Sequence, residues 1–275
     1  MTETLASLPA ISTLLKRYGI TANKKLGQHF LFDLNLTDKI TRHAGELNDC
    51  HVIEIGPGPG ALTRSILQAN PRQLIAIDTD DRFIDMLTDY LLPVSDGKLL
   101  LLKQDALTFD YASVAEPVRI IANLPYNIGT ELLFLWLDNI AHFKSITVML
   151  QKEVADRLSG KPNSKAYGRL SVLFQYRCDI YPVCDIHPHS FYPPPKVVSS
   201  VVHIVPRLTP LDVNKDALDA LLRTSFGKRR KTLRASLRGV YPNAETLLQS
   251  AGIDPNLRPE ALSVEEFCAL SRIMS

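Results

Sequence analysis

Cysteine, tryptophan and long apolar runs are scarce in this chain. Its 275 residues include four cysteines and one tryptophan, and the absence of any C-x-x-C pair argues against a zinc site and a disulfide framework. The longest apolar run is Leu132 to Leu137, far below the ~18 residues that a membrane-spanning helix needs. Residues 1–19 carry no basic stretch ahead of an apolar core, which argues against a secretory signal. We therefore expect a cytoplasmic protein with reduced cysteines, no metal and no membrane contact.

The rest of the composition is that of a globular protein. Apolar residues make up 45% of the chain and charged residues 22%, which argues against a disordered chain or a collagen-like fibre. The net charge is only +2, but the stretch from Arg223 to Arg238 holds basic residues and no acid. Such a run indicates contact with phosphates, with an ordinary solvated helix face as the alternative.

Short β-branched runs alternate with helical patterns through the first two-thirds of the chain. The predicted strands are 51–55, 74–78, 99–103, 118–122 and 146–150, and the predicted helices between them are 61–69, 82–92 and 131–140. Apolar strands separated by helices indicate a parallel sheet that binds ligands at the carboxyl ends of its strands. Extended runs at 179–186 and 197–205 predict an antiparallel pair at the sheet edge. Seven such strands are typical of the α/β, Rossmann-like fold of class I methyltransferases.

The composition changes near residues 206–211, and beyond them only helical patterns remain. The predicted helices of this region are 215–226, 229–237, 244–251 and 264–273, after an earlier helix at 167–176. We therefore predict a catalytic domain over residues 1–207, including an N-terminal arm, and a small all-α domain over residues 208–275 that carries the basic run.

A glycine-rich turn follows the first predicted strand, in the order Glu54-Ile-Gly56-Pro-Gly58-Pro-Gly60. Glycines let the backbone approach a ligand closely, and the spacing also fits a dinucleotide site that binds a pyrophosphate. Carboxylates at three neighbouring strand ends, Glu54, Asp78 and Asp105, favour S-adenosylmethionine. They suit its ammonium, ribose and adenine amine, and Glu54 would repel a pyrophosphate.

The sequence Asn123-Leu124-Pro125-Tyr126 ends the fourth predicted strand beside this pocket. An adenine amine is a poor nucleophile because its lone pair is delocalised, and carbonyl oxygens of Asn123 and Leu124 could accept its two N–H groups. Pro125 would help to present the Leu124 carbonyl, and Tyr126 offers a ring for base stacking, worth ~1–3 kcal/mol. The alternative is a turn capped by an aromatic residue.

Seven motifs in order make the chain resemble the ribosomal RNA adenine dimethyltransferases over nearly its whole length. The motifs are Gly27-Gln-His-Phe-Leu31, Glu54 to Gly60, Gln104-Asp-Ala106, Asn123 to Asn127, Lys165 to Ser171, Phe191 to Val197 and Arg229 to Leu233. The resemblance is strongest to the bacterial enzymes that dimethylate two adjacent adenosines near the 3′ end of small-subunit rRNA. It implies a monomer that acts on rRNA or an assembling small subunit, with four methyl transfers per subunit.

The resemblance also implies roles for individual residues. The donor site would be formed by Gln28, His29, Leu31, Glu54, Gly56, Gly58, Gly60, Asp78, Asp105, Ala106 and Asn123. Phe191 would face Tyr126 across a target base flipped out of the RNA. Phosphate contacts, which position RNA without reading its sequence, would come from Arg223, Lys228, Arg229, Arg230, Lys231 and Arg234. Family members often have Asn at the position of His29, so His29 could make donor binding pH-sensitive. They often have Glu at the position of Asp78, whose reach to the ribose is one methylene shorter.

Three other functions remain open at this point. A nicotinamide-dependent oxidoreductase would share the glycine-rich turn but needs a hydride-relay acid, for which the sequence offers no pair. A methyltransferase acting on large-subunit rRNA would share most motifs. A non-catalytic ribosome-assembly factor would share the scaffold, although the intact Asn123 and Tyr126 favour catalysis.

Overall fold

The structure is a computed structural model, which describes residues 4–23, 27–228 and 230–274. The chain divides into two compact units. The first comprises residues 1–152 and 181–205, and the second comprises residues 153–180 and 206–275. The predicted boundary after residue 207 lies two residues beyond the third passage between the units, at residues 205–206, whereas residues 153–180, which were predicted in the first domain, fall in the second unit.

The strands are β1 (Phe30–Leu31), β2 (His51–Ile55), β3 (Gln73–Asp78), β4 (Leu99–Lys103), β5 (Val118–Asn123), β6 (Phe143–Gln151), β7 (Cys178–Ile186), β8 (Phe191–Tyr192) and β9 (Ser199–Pro206). Seven of them form a sheet in the order β4-β3-β2-β5-β6-β9-β7, and β1 and β8 form a separate pair. Strands β2 to β6 pair in parallel, and β9 pairs antiparallel with β6. The predicted parallel sheet with an antiparallel addition is confirmed, and the short pair β1–β8 was missed.

The helices of the first unit cover the sheet, and the second unit is mainly helical. The helices are α1 (Ile11–Arg17), α2 (Leu34–His43), α3 (Ala61–Gln68), α4 (Asp81–Tyr90), α5 (Gly129–Asp138), α6 (Lys152–Leu158), α7 (Arg169–Gln175), α8 (Lys215–Phe226), α9 (Leu233–Leu237), α10 (Ala244–Ser250) and α11 (Val264–Met274). Within the described residues, no helix is both long and apolar enough to cross a membrane, and no three His, Cys, Asp or Glu side chains are grouped to hold a metal.

Buried apolar residues and one helix cap explain why the strands and the helix beside the site form where they do. Residues Val52 to Ile55 and Leu74 to Ile77 are buried throughout, as strands covered by helices on both faces require. Asp80 caps α4 by accepting a hydrogen bond from the Arg82 N–H group, which satisfies a backbone donor that the helix leaves unpaired. Because β2, β3 and β5 pair in parallel, the polar residues at their carboxyl ends lie at one edge of the sheet.

Helices α1, α2 and α6 were not predicted from the sequence, and α2 shows why. Its buried face consists of Thr37, Ile40 and Thr41, so two of its three buried positions are polar. The Thr37 hydroxyl lies 2.7 Å from the Ser65 hydroxyl of α3, and the Thr41 hydroxyl donates to the Thr37 carbonyl. Internal hydrogen bonds make this polar face compatible with burial, and a search for apolar periodicity does not detect it.

In the second unit, Asp219 of α8 joins two arginines. Its carboxylate accepts hydrogen bonds from Arg169 of α7, at 2.5 Å from Nε, and from Arg223, one turn further along α8. Helix α9 begins at Leu233, later than predicted. The Leu233 and Arg234 N–H groups donate to the carbonyls of Leu257 and Pro255, so a neighbouring loop satisfies the start of this helix.

Candidate active site

The polar ends of β2, β3 and β5, together with residues 27–31 of the N-terminal arm, enclose a cavity of about 240 Å³. Most residues predicted for the site line it. These are Gln28, His29, Leu31, Glu54, Gly56, Gly58, Asp78, Asp105, Asn123, Leu124, Pro125 and Tyr126. The lining also includes Phe83, Leu107 and Ile128, for which the sequence carried no separate signal.

Three predicted site residues do not line the cavity. Gly60 has a φ of +88°, and a Cβ there would collide with the Tyr90 hydroxyl and lie 2.7 Å from Leu87 Cδ2, so this glycine is required for packing against α4. Ala106 is buried, and its carbonyl accepts a hydrogen bond from the Tyr111 hydroxyl. Phe191 is only 4% exposed and belongs to the hydrophobic core. A position of the Phe191 ring opposite Tyr126 therefore stays a prediction.

Glu54 is a buried carboxylate that has no counter-charge beside it among the described residues. It is 1% exposed, its Oε2 atom has no hydrogen-bond partner among the described residues, and it lines the cavity. Burial disfavours the charged form and raises the pKa of Glu54 to about 8. A cation entering the cavity would supply the missing charge, so Glu54 is the strongest sign of a positively charged ligand group.

The two other carboxylates each accept a hydrogen bond from a backbone N–H group two residues further along the chain. Asp78 accepts a hydrogen bond from the Asp80 N–H group at 3.0 Å. Burial raises the pKa of Asp78, while hydrogen bonds from backbone N–H groups, including that of Gly58, act in the opposite direction. Asp105 accepts from the Leu107 N–H group through Oδ1. Both side chains are thus oriented before a ligand arrives, as in preorganised binding sites.

Asn123 is oriented by the N-terminal arm. Its Nδ2 atom donates to the His29 carbonyl at 3.2 Å. A carbonyl oxygen can only accept, so this contact requires the NH2 group on that side, and Oδ1 has no hydrogen-bond partner among the residues that the structure describes. Leu124 also lines the cavity and is 1% exposed, and the presentation of its carbonyl to a ligand stays a prediction. The two predicted acceptors therefore lie on neighbouring residues.

Tyr126 is fixed from two sides. Its hydroxyl lies 2.6 Å from the hydroxyl of Ser199, which is fully buried on β9, and the His29 ring lies 5.6 Å from the Tyr126 ring. Burial raises the pKa of Tyr126, which keeps the ring neutral near neutral pH. His29 Nδ1 lies 2.7 Å from the Pro193 carbonyl, so Nδ1 carries the proton. Neither Ser199 nor Pro193 was predicted as a positioning residue, because only the folded chain brings them here.

The arm is attached to the start of α4. Gln28 Nε2 donates to Asp80 Oδ2 at 2.9 Å, and Gln28 Oε1 accepts from the Asn23 N–H group. Arg82 binds the same Asp80 carboxylate and the Thr21 carbonyl. Gln28 therefore lines the cavity, and its amide joins the arm to Asp80 at the start of α4.

The basic residues predicted for phosphate contact fall into three groups. Arg223 binds Asp219, and Arg234 lies 3.7 Å from Glu245. Lys228, Arg230 and Lys231 are exposed and have no ion-pair partner among the described residues. Arg229 lies outside the described residues. A role of these side chains in binding RNA stays a prediction.

The sheet order and a cavity at the carboxyl ends of its central strands define a Rossmann-like fold of the class I methyltransferase type. The family model "Ribosomal RNA adenine dimethylase" matches residues 19–275, and the chain belongs to this family.

Individual relatives are similar over almost their whole length. The chain is 47% identical to "Ribosomal RNA small subunit methyltransferase A" of Paramagnetospirillum magneticum, covering 98% of this chain and 96% of the relative. It is 47% identical to the protein of that name from Rhodospirillum rubrum, covering 96% and 92%. A dimethyladenosine transferase from Plasmodium falciparum superposes with a TM-score of 0.76 at 27% identity, covering 88% of this chain and 96% of that one. The 23S rRNA methyltransferase ErmE superposes with a TM-score of 0.71 at 24% identity, covering 89% of this chain and 98% of that one. This similarity is one of fold.

Proposed function

We propose that this chain transfers methyl groups from S-adenosylmethionine to the N6 amines of two adjacent adenosines in the 3′-terminal hairpin of small-subunit rRNA. The family assignment and the names of the most similar relatives support the reaction and the substrate class. The observation that carries the proposal is the fixed amide of Asn123, whose Nδ2 atom is bound to the His29 carbonyl beside Tyr126 in the cavity.

The cavity residues fit the proposed donor. The buried, unpartnered oxygen of Glu54 suits a ligand cation, and Asp78 can accept hydrogen bonds from ribose hydroxyls. Asp105 can accept from the adenine amine. Gly56 and Gly58, both with positive φ, let the backbone approach the methionine part without a Cβ in the way. When bound, the donor supplies an electrophilic methyl group on a sulfonium.

Asn123 and Leu124 would prepare the target amine. With Nδ2 committed to His29, the Asn123 Oδ1 atom accepts one amine N–H, and the Leu124 carbonyl accepts the other. Two acceptors in fixed positions draw the nitrogen away from planarity and aim its lone pair, so the rate gain comes from alignment. The amine becomes acidic as it is methylated, and its proton can leave to water without a strong base.

Tyr126 would support the target base. Its hydroxyl is bound to Ser199, so its ring is held in place as a neutral stacking surface. The target adenosine must be unstacked from its RNA neighbours first, and stacking on an aromatic ring offsets part of that cost. After one transfer the amine keeps a single N–H, so the site must also accept a monomethylated base.

Two observations disfavour the alternatives. The buried Glu54 carboxyl, which has no hydrogen-bond partner for Oε2 among the described residues, can be stabilised in its charged form by a cationic ligand group, and the pyrophosphate of a nicotinamide dinucleotide offers no such group. The relatives at 47% identity carry the small-subunit name, whereas the likeness to the large-subunit enzyme is one of fold. We place the activity in the cytoplasm, with the chain acting as a monomer, residues 1–207 as the catalytic domain and the basic residues of 208–275 contacting rRNA phosphates.

The test supplies labelled S-adenosylmethionine to unmethylated small ribosomal subunits and identifies the modified nucleoside after digestion of the RNA. We expect label in N6,N6-dimethyladenosine, at two adjacent positions and at four methyl groups per subunit. Label on cytosine, or in protein alone, would contradict the proposal.

A further inference from the structure

We propose that Phe32 and Tyr192 form a second stacking platform, which binds the nucleobase next to the adenosine in the cavity. This inference rests on the proposed function, because it assigns a place to the second of two adjacent adenosines. It adds a nucleobase site outside the cavity.

The two rings form a supported pair. Their centroids are 5.7 Å apart and their planes differ by 26°, so they are stacked. Phe32 is partly buried and packs against the hydrophobic core, whereas Tyr192 is 60% exposed. An anchored ring thus holds an exposed one in a fixed orientation. A large exposed aromatic ring that is held in place offers a binding surface at little cost in side-chain entropy.

The platform is continuous with the cavity. Phe32 follows Leu31, which lines the cavity, and Tyr192 precedes Pro193, whose carbonyl binds the His29 ring. The pairing of β1 with β8 places Phe30 opposite Tyr192. A base on this platform would therefore lie beside the arm residues that border the target adenosine, as the neighbouring nucleotide of one strand requires.

The charge around Tyr192 suits a nucleic acid. Residues 186–198 contain no aspartate or glutamate, and Lys196, four positions after Tyr192, is exposed. The acid closest to Phe32 in sequence, Asp33, accepts a hydrogen bond from the Asn35 N–H group and caps α2. A ring that stacks a base next to a cation that meets a phosphate is the usual combination of single-strand binding sites, and this favours RNA over an apolar protein segment.

The experiment compares an RNA hairpin that has two adjacent adenosines in its loop with hairpins in which one or the other adenosine is abasic. In each abasic hairpin the remaining adenosine is the target and its neighbour lacks a base. Affinity is measured by fluorescence anisotropy with S-adenosylhomocysteine present. The variants are Tyr192→Leu, which removes the ring, and Tyr192→Phe, which keeps it. Tyr181→Leu is the matched control, because Tyr181 is also exposed, at 53%.

We expect the wild-type protein, Tyr192→Phe and Tyr181→Leu to bind at least one abasic hairpin about 5- to 100-fold more weakly than the parent hairpin. Tyr192→Leu should bind parent and abasic hairpins equally. Unchanged S-adenosylhomocysteine affinity and thermal unfolding of Tyr192→Leu would show that the fold is intact. A wild-type protein indifferent to the missing base, or a Tyr192→Leu protein that still discriminates, would overturn the platform.

The same preparations separate this inference from the proposed function. If the wild-type protein methylates adenosines in small subunits but Tyr192→Leu keeps its preference for the parent hairpin, only the platform fails. If the wild-type protein methylates no adenosine but Tyr192→Leu loses the preference, the proposed reaction fails and the nucleobase site stands.

Discussion

The cavity and the basic run of residues 223–238 use polar side chains in opposite ways. In the cavity, the Asn123 amide is oriented by the His29 carbonyl and the Asp78 carboxylate by the Asp80 N–H group. In the basic run, Lys228, Arg230 and Lys231 are exposed. Buried groups interact strongly because little water screens them, whereas exposed charges are screened and contribute little individually.

The two regions should therefore respond differently to substitution. A single change in the cavity should have a large effect that salt does not alter. Single changes in the basic run should have small effects that add up and decrease with salt.

Asn123→Ala removes the oriented acceptor of the target amine. We expect the single-turnover rate of methyl transfer to small subunits to fall by about 10²- to 10³-fold, as it does when one preorganised group of an active site is deleted. Donor affinity, measured by calorimetry, should change little, because the donor keeps Glu54, Asp78 and Asp105. A variant that transfers methyl groups at the wild-type rate would remove Asn123 from the mechanism.

Glu54→Gln tests the buried carboxylate through the pH dependence of stability. With a pKa of about 8 in the folded, donor-free protein and the ordinary low value in the unfolded chain, the folded state binds an extra proton between these values. Stability from this group is thus complete at low pH and is lost as pH rises through about 8. Between pH 5 and pH 8.5, the unfolding free energy of Glu54→Gln should therefore rise by on the order of 4 kcal/mol relative to that of the wild type.

Urea unfolding of both proteins at the two pH values measures this difference. Glu46→Gln is the matched control, because Glu46 is exposed, and its stability should follow that of the wild type at both pH values. An unchanged difference between Glu54→Gln and wild type across this range would show that Glu54 is already charged in the donor-free protein.

Gly60→Ala and Gly58→Ala separate packing from ligand contact within the glycine-rich turn. Both positions have positive φ, but a Cβ at Gly60 would collide with the Tyr90 hydroxyl, whereas one at Gly58 lies 3.5 Å from the Phe30 ring. We expect Gly60→Ala to lose about 3 kcal/mol of unfolding free energy, from backbone strain and overpacking. Gly58→Ala should lose about 1 kcal/mol and bind the donor more weakly. Equal stability losses would contradict this division.

The cavity could largely be predicted from the sequence because a parallel sheet brings the ends of its strands together. Once β2, β3 and β5 were predicted, Glu54, Asp78 and Asn123 had to lie at one edge. The sequence could not indicate that Ser199 and Pro193 hold Tyr126 and His29, because these contacts join residues far apart in the chain. It also could not separate Gly60 from Gly58, since only the packing of α4 distinguishes them.

The basic run was harder to interpret, because a charge run says nothing about acids on other elements. Within the run itself there is no acid, yet Arg223 pairs with Asp219, one turn earlier on α8, and Arg234 pairs with Glu245 of α10.

Helix α1 was missed for a different reason. Its buried residues Ile11, Leu14 and Leu15 occupy only two turns, too few for a periodic signal.

Lys228, Arg230 and Lys231 are exposed and have no ion-pair partner in the part of the chain that the structure describes. Replacing all three by glutamate should weaken binding to small subunits about tenfold at low salt and make the salt dependence shallower, by about one unit of log–log slope for each phosphate that is no longer neutralised. Filter binding across a salt series measures both quantities, and donor affinity should not change.

The paired arginines provide the control for this variant. Replacing Arg223 and Arg234 by glutamine should change the salt slope less than the triple replacement does, because their charges are already partly neutralised by Asp219 and Glu245. If the double variant weakens binding as much as the triple variant, the exposed ion pairs must open when RNA binds. Since exposed pairs contribute only ~0–1 kcal/mol each, that opening would cost little, and the run would act as one continuous phosphate-binding surface.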